Sequence, residues 1–171
     1  MAKKKALVTN VMRMLNAAKV EYETIEYEHE GEIGHDFGME IAAQTGIPAE
    51  QSFKTLVIRG EKRGIMAACI PVNAELDLKK LAREAADKKV EMIHVRELLG
   101  LTGYIRGGVS PIGMKKKYPT YIDASALKYE RIAVSAGVCG ATILLSPEDL
   151  QRVTECRYAD LKKGDDKYGD I

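Results

Sequence analysis

Lys54-Thr55-Leu56-Val57-Ile58-Arg59 and Gly64-Ile65-Met66-Ala67-Ala68-Cys69-Ile70-Pro71 are two apolar runs separated by the polar stretch Gly60-Glu61-Lys62-Arg63. Runs of six to eight residues bounded by glycine and a short polar turn predict a β-hairpin. Strand patterns recur downstream at Thr120-Tyr121-Ile122-Asp123, Arg131-Ile132-Ala133-Val134-Ser135 and Ala141-Thr142-Ile143-Leu144-Leu145, the last two joined through Gly137-Val138-Cys139-Gly140. Upstream, Val20 to Tyr27 reads as another strand, and Val90-Glu91-Met92-Ile93 as a short one.

Helical patterns lie irregularly between these strands. Thr9 caps a helix whose apolar positions Val11, Met12, Leu15 and Ala18 recur at helical spacing as far as Lys19. A second covers Met39 to Thr45 and stops at Gly46, with Pro48 beyond it. A third, capped by Asn73 or Asp77, carries Leu78, Leu81 and Ala85; a fourth runs from Val95 to Leu99 and ends at Gly100. Ser146-Pro147-Glu148-Asp149-Leu150 starts a fifth, with serine as cap and proline in the first turn. Strands grouped in hairpins with helices inserted unevenly argue against regular βαβ alternation. The fold class expected is α+β with a mixed, curved sheet.

The chain has 171 residues, of which 46% are hydrophobic and 30% charged, a composition that supports a packed core and excludes a disordered chain. It has no linker or internal repeat, so residues 1–161 are expected to form one domain and residues 162–171 a charged, frayed tail. Lys and Arg number 26 against 25 Asp and Glu, so any nucleic-acid surface has to be a local patch. The basic start Met1 to Lys5 is followed by a stretch broken at Thr9, Asn10 and Arg13, which does not read as an export signal. With no membrane-spanning apolar run, the expected location is the cytoplasm and no membrane partner is expected. Cys69, Cys139 and Cys156 are odd in number and widely spaced, which predicts reduced thiols and no zinc site.

Gly103 to Gly113 is too rich in glycine for a regular element and too apolar for a linker, so an ordered loop is expected. Gly107, Gly108 and Gly113 let backbone N–H groups approach a ligand, or they serve a tight bend; spacing alone does not separate the two. Lys54, after Phe53, either lays its stem on protein and presents its ammonium to a cleft, or is a solvated strand-end lysine. Lys115-Lys116-Lys117 reads as a solvated run or as a track for a nucleic-acid backbone. His29, His35 and Asp36 lack the partners of a metal cluster and read as surface or turn residues. Ser135 has no base in sequence that would identify a triad, and Cys69 lies in an apolar strand as an inert thiol.

Three segments taken together carry more. Ser52-Phe53-Lys54-Thr55-Leu56-Val57, then Thr102-Gly103-Tyr104-Ile105-Arg106-Gly107-Gly108-Val109-Ser110-Pro111-Ile112-Gly113, then Val134-Ser135-Ala136-Gly137 before Ser146 to Leu150 resemble the YbaK/EbsC family, in the family's order. These are free-standing relatives of the editing insertion domain of bacterial prolyl-tRNA synthetase. The resemblance implies a barrel-like mixed β core flanked by helices and a trans-editing deacylase that clears mischarged tRNA, chiefly Cys-tRNA(Pro), without cofactor or metal. It places the family's indispensable lysine on Lys54, with Thr55 beside it. The terminal adenosine and the ester would be held by Gly107, Gly108, Ser110, Pro111 and Gly113, the pocket lined by Tyr27 and Phe37, and a serine-glycine turn formed by Ser135 and Gly137. The implied partners are the tRNA acceptor 3′ end and prolyl-tRNA synthetase in a transient complex. The family commonly carries a basic pair where Val138 and Cys139 stand, which bears on tRNA contact and amino-acid choice. Two other functions fit the same pattern: a non-catalytic regulator that binds a nucleotide or a protein, and an editing enzyme for Ala or another small amino acid.

Overall fold

The computed structural model describes residues 7–34 and 36–164. In chain order its elements are α1 (Asn10–Ala17), β1 (Glu23–Glu26), α2 (Phe37–Thr45), β2 (Phe53–Gly60), β3 (Gly64–Pro71), α3 (Leu78–Glu84), β4 (Val90–Met92), α4 (Leu98–Thr102), β5 (Thr120–Asp123), β6 (Ile132–Ser135), β7 (Ala141–Leu145), α5 (Pro147–Thr154) and β8 (Arg157–Ala159). The strands form two open sheets, one antiparallel and one mixed, the α+β arrangement the strand grouping predicts. One is three-stranded, in the order β1-β7-β6, and the other five-stranded, in the order β4-β2-β3-β5-β8. Pairing is antiparallel except for β3 with β5 and β5 with β8, which run parallel.

The hairpin registers Lys54 opposite Ile70 and Gly60 opposite Gly64, so the polar turn falls at Glu61 to Arg63. Its second strand is apolar at nearly every position because both faces are covered. On one face Ala68 and Ile70 join Leu81 of α3, Tyr121 and Leu161. On the other, Cys69 meets Ile122, Phe53 and a larger core that also holds Val11, Met12 and Leu15 of α1 and Leu150 of α5. Burying one such Leu or Ile side chain contributes about 1.5–3 kcal/mol, and these two layers fix the five-stranded sheet between them.

Helix ends follow their side chains. Thr9 Oγ1 accepts from Met12 N at 3.2 Å, Asp77 Oδ1 from Lys79 N and Lys80 N, and Ser146 Oγ from Asp149 N at 3.1 Å. Gly46 closes α2 in the left-handed conformation, at φ 75°. The fourth helix departs from expectation: it begins as a 3₁₀ turn at Val95–Glu97 and continues through Gly100 to Thr102, where Gly103, at φ 85°, ends it. Either glycine could serve as a stop in sequence; the left-handed conformation at 103 decides. Strand β8 has no counterpart among the strands expected from sequence.

Lys162 and Lys163, expected in the frayed tail, are held against the loop before α3. Lys162 bridges Leu76, and Lys163 N donates to Glu75 O at 2.9 Å. Buried Asp123 anchors the same segment: its carboxylate accepts from Leu161 N at 2.9 Å and Lys162 N at 3.3 Å. Burial opposes its charge, but the donors of Ser125 and Leu161 outweigh that and hold its pKa below the usual aspartate value. The remainder of the tail, residues 165–171, lies outside the described residues.

Candidate active site

Among the described residues one isolated β-bridge joins the two sheets, between Ser52 and Ala133, in parallel fashion. Beyond it β2 and β6 diverge, and β2 regains an outer partner only at Ile58, opposite Met92 of β4. A cavity of about 400 Å³ opens in this gap, walled by residues of β2, α2, the Gly107 loop and the β4 to α4 connection. Its size lies within the range of small-molecule sites. The ladder's alternation orients the open edge. Ser52 O accepts from Val72 N on the β3 side, while Val57 O accepts from Ile93 N on the other side. Odd-numbered residues of β2 therefore turn their backbone groups away from β3, which puts the N–H and C=O of Thr55 on the edge facing the cavity.

Lys54 lines this cavity and is half-buried. Burial lowers its pKa, an effect partly countered by Glu75. Among the described residues no carboxylate lies within ion-pair distance of it. An ammonium left uncompensated in an apolar cavity is costly to the fold, and it is available to any negative charge that enters. Tyr27 and Phe37 meet edge to face, with centroids 6.1 Å apart, and His29 also meets Phe37 edge to face while its Nδ1 lies 3.2 Å from Glu40. His29 thus has a structural pairing; His35 lies outside the described residues. Among the described residues no group of three or more His, Cys, Asp or Glu could hold a metal ion.

Six of the residues singled out by sequence share the cavity wall: Tyr27, Phe37, Lys54, Thr55, Gly107 and Ser135. Gly107 adopts φ 90°, which side chains rarely accept, and a Cβ there would lie 3.0 Å from Ile33 Cδ1. Gly108, Ser110, Pro111 and Gly113, in the glycine loop, and Gly137, in the turn between β6 and β7, are not part of the wall. Ser110 is buried, and its Oγ accepts from Ile112 N; Pro111 is buried beside it. Gly113 O accepts from Asn10 Nδ2, and Gly137 N donates to Ser135 Oγ at 3.1 Å. Lys115, Lys116 and Lys117 also lie off the wall, and Lys117 Nζ pairs with Glu155 at 2.5 Å.

Gly108 illustrates the structural share of the glycine motif. A Cβ at this position would stand 2.9 Å from Val138 Cα and C and 3.0 Å from Cys139 N, all backbone atoms that cannot swing aside. Gly108→Ala is expected to destabilise the protein by about 1–3 kcal/mol, the usual cost of overpacking. It is also expected to lower activity by displacing the Val138 turn and Gly107; urea unfolding and turnover of the same variant check both.

Sequence reasoning missed Ile33, Val72, Met92, Arg106 and Thr142 as wall residues. They come from loops and non-adjacent strands and share no spacing; only Arg106, inside the quoted glycine segment, carried a visible signal. The wall's chemistry is lopsided. Its ionisable members among the described residues are Tyr27, Lys54 and Arg106, with no carboxylate, imidazole or thiol. Three of its hydroxyls donate within the fold: Ser52 Oγ to Pro48 O, Thr45 Oγ1 to Ile41 O and Thr142 Oγ1 to Val134 O. Ser135 Oγ accepts from Gly137 N, and Thr55 Oγ1 lies 3.5 Å from Cys69 Sγ, whose thiol burial pushes up to about 12. Such a site offers positive charge, backbone polar groups and an apolar wall, but no activated nucleophile of its own.

Residues 37–153 match the model of the aminoacyl-tRNA editing domain. The chain belongs to the aminoacyl-tRNA editing domain family. Within it, the chain is 48% identical over 162 residues to EbsC of Enterococcus faecalis, named as a candidate Cys-tRNA(Pro)/Cys-tRNA(Cys) deacylase; the match covers 94% of this chain and 98% of that one. A proline–tRNA ligase of Streptomyces griseus is 33% identical over 76 residues, 44% of this chain and 13% of the ligase, a local likeness to part of a much larger enzyme. Among solved structures, a candidate trans-editing enzyme for prolyl tRNA synthetase superposes with a TM-score of 0.76 at 26% identity, covering 92% of this chain and all of that one. The matched residues include β2, the glycine loop and the Ser135 turn, each of which contributes to the cavity wall.

Proposed function

We propose that this protein is a trans-editing aminoacyl-tRNA deacylase that clears mischarged tRNA, with Cys-tRNA(Pro) as its substrate, and that the substrate's own thiol performs the attack. The observation that carries this reading is the cavity wall itself: a half-buried ammonium with no ion pair beside an open strand edge, with neither base nor activated nucleophile among the described residues of that wall. The 48% identity to EbsC over nearly the full length of both chains supports the substrate class.

In this mechanism the terminal adenosine enters the cavity that Phe37 and the Gly107 loop help to wall, and the ester carbonyl lies near Lys54. The cysteinyl sulfur bonds to the carbonyl carbon, negative charge develops on the carbonyl oxygen, and the carbon–oxygen bond to the ribose then breaks. The ribose hydroxyl takes up the proton that the thiol gives up, leaving free tRNA and a cyclic thiolactone. Lys54 steadies the oxyanion, with the Thr55 N–H positioned on the same edge to assist. Intramolecular attack in a held geometry reaches effective molarities of about 10⁵ M or more, so positioning replaces a protein nucleophile.

Loss of the aminoacyl ester from Cys-tRNA(Pro), Ala-tRNA(Pro) and Pro-tRNA(Pro) is the deciding measurement. Rapid loss of the cysteinyl ester with the prolyl ester spared establishes the reading. Loss of the alanyl ester at a comparable rate assigns water as the attacking group. Stoichiometric binding with no acceleration above spontaneous loss assigns a binding module. We further propose that tRNA choice comes from the acceptor 3′ end, aided by a transient complex with prolyl-tRNA synthetase; co-purification of the synthetase only when tRNA is present tests the latter.

A further inference from the structure

The cavity wall holds two cations that stand at different depths. Lys54 is half-buried, whereas Arg106 is exposed while still lining the wall. Among the described residues Arg106 makes no ion pair. On the same wall Met92 and Val95 are 47% and 59% exposed, an unusual degree for two large apolar side chains beside a functional cavity. Glu97 is held by both terminal nitrogens of Arg59, at 2.7 and 3.3 Å, and caps His94 N, which depresses its pKa to about 2 and ties the Val95–Glu97 turn to β2. That pairing keeps the ledge rigid and its carboxylate occupied.

An esterified terminal nucleoside has no negative charge of its own at the reacting end. The first anion met on leaving the cavity is the phosphodiester that joins the last two nucleotides. We propose that Arg106 binds that phosphate and that Met92 and Val95 form a ledge for the base of the penultimate nucleotide, a second subsite outside the ester pocket. A guanidinium fork matches two phosphate oxygens where an ammonium offers a point charge, and unpaired bases pack on apolar and aromatic faces with little regard to sequence. The proposal rests on the reading of the substrate as aminoacyl-tRNA. It also assigns the tRNA contact to the cavity mouth rather than to the lysine run, where Lys117 is already paired with Glu155.

The test compares two cysteinyl esters, one on a CCA-ended minihelix and one on adenosine alone, which has no phosphodiester. For the unmodified protein kcat/KM is higher on the minihelix. Arg106→Ala narrows the ratio between the two substrates about tenfold, through KM rather than kcat, and lowers the salt dependence of the minihelix reaction by about one in log–log slope. Arg106→Lys restores part of the ratio, because it keeps the charge but loses the fork. A ratio unmoved by Arg106→Ala overturns the subsite, whether both activities fall together or neither changes. Absence of turnover on both esters by the unmodified protein removes the substrate reading and the subsite with it, an outcome read before any variant is made.

Discussion

Lys54→Ala lowers kcat on the cysteinyl ester by about 10²–10³, the usual cost of removing one preorganised oxyanion donor, while the melting temperature does not fall. The two halves of this expectation have separate physical causes. In the cavity the ammonium faces a mostly apolar wall with no carboxylate at ion-pair distance among the described residues, so folding bears its desolvation without recovering a salt bridge. Truncation relieves that cost, and the rest of β2 keeps its ladder with β3. The charge gains its worth only when a negative oxygen forms within reach. Unfolding by heat and single-turnover ester loss, measured on the same preparation, separate the two effects; near-normal turnover removes Lys54 from the mechanism.

Lys54 is also expected to set the alkaline limb of the reaction. Its pKa is lowered by burial, so the ammonium gives up its proton at a lower pH than a solvated lysine does. The active form exists below that folded-state pKa and is lost as pH rises through it. The limb is therefore expected to begin earlier than an ordinary lysine would set it, and Lys54→Arg, whose charge persists, is expected to shift it upward wherever that variant retains measurable activity.

Much of this site was legible in the chain because its parts are local. The apolar run Ile65 to Pro71 announces a strand covered on both faces, and the caps at Thr9, Asp77 and Ser146 announce helix starts, since each depends on atoms within four residues. The family resemblance then singled out Lys54 and Gly107. Illegible was the division of labour inside the glycine motif. Gly107 faces the cavity, while Gly108 is required by the backbone of Val138, thirty residues away in sequence. No spacing rule encodes a contact of that kind. The cavity itself was equally hidden: it exists because β2 and β6, strands of separate sheets, part after the Ser52–Ala133 bridge. Val138 and Cys139, which replace a basic pair in the family pattern, lie in the turn against which Gly108 packs, and Cys139 stands beside the Tyr27 hydroxyl. The charge missing there leaves Arg106 as the exposed cation of the wall.

Replacing the substrate's thiol by a hydroxyl is expected to slow cleavage more than any change to the protein. Seryl and cysteinyl esters differ by one atom and occupy nearly the same volume, so an apolar wall discriminates between them only weakly by shape. The attacking atom differs far more. A thiol ionises some units below an alcohol and is the better nucleophile at neutral pH, whereas nothing among the described wall residues can take a proton from an alcohol. Holding sulfur against the carbonyl carries an effective molarity of about 10⁵ M or more, and a hydroxyl without a base forfeits most of it, so the seryl ester is expected to react at least about 10³-fold more slowly. The products discriminate further. Sulfur attack releases a thiolactone that an added amine intercepts as a cysteinyl amide, whereas attack by water releases free cysteine directly and yields no adduct. Rates of seryl and cysteinyl esters within a factor of about ten, with no trapped amide, would place the nucleophile in an ordered water beside Lys54 and turn the enzyme from a thiol reader into a size reader.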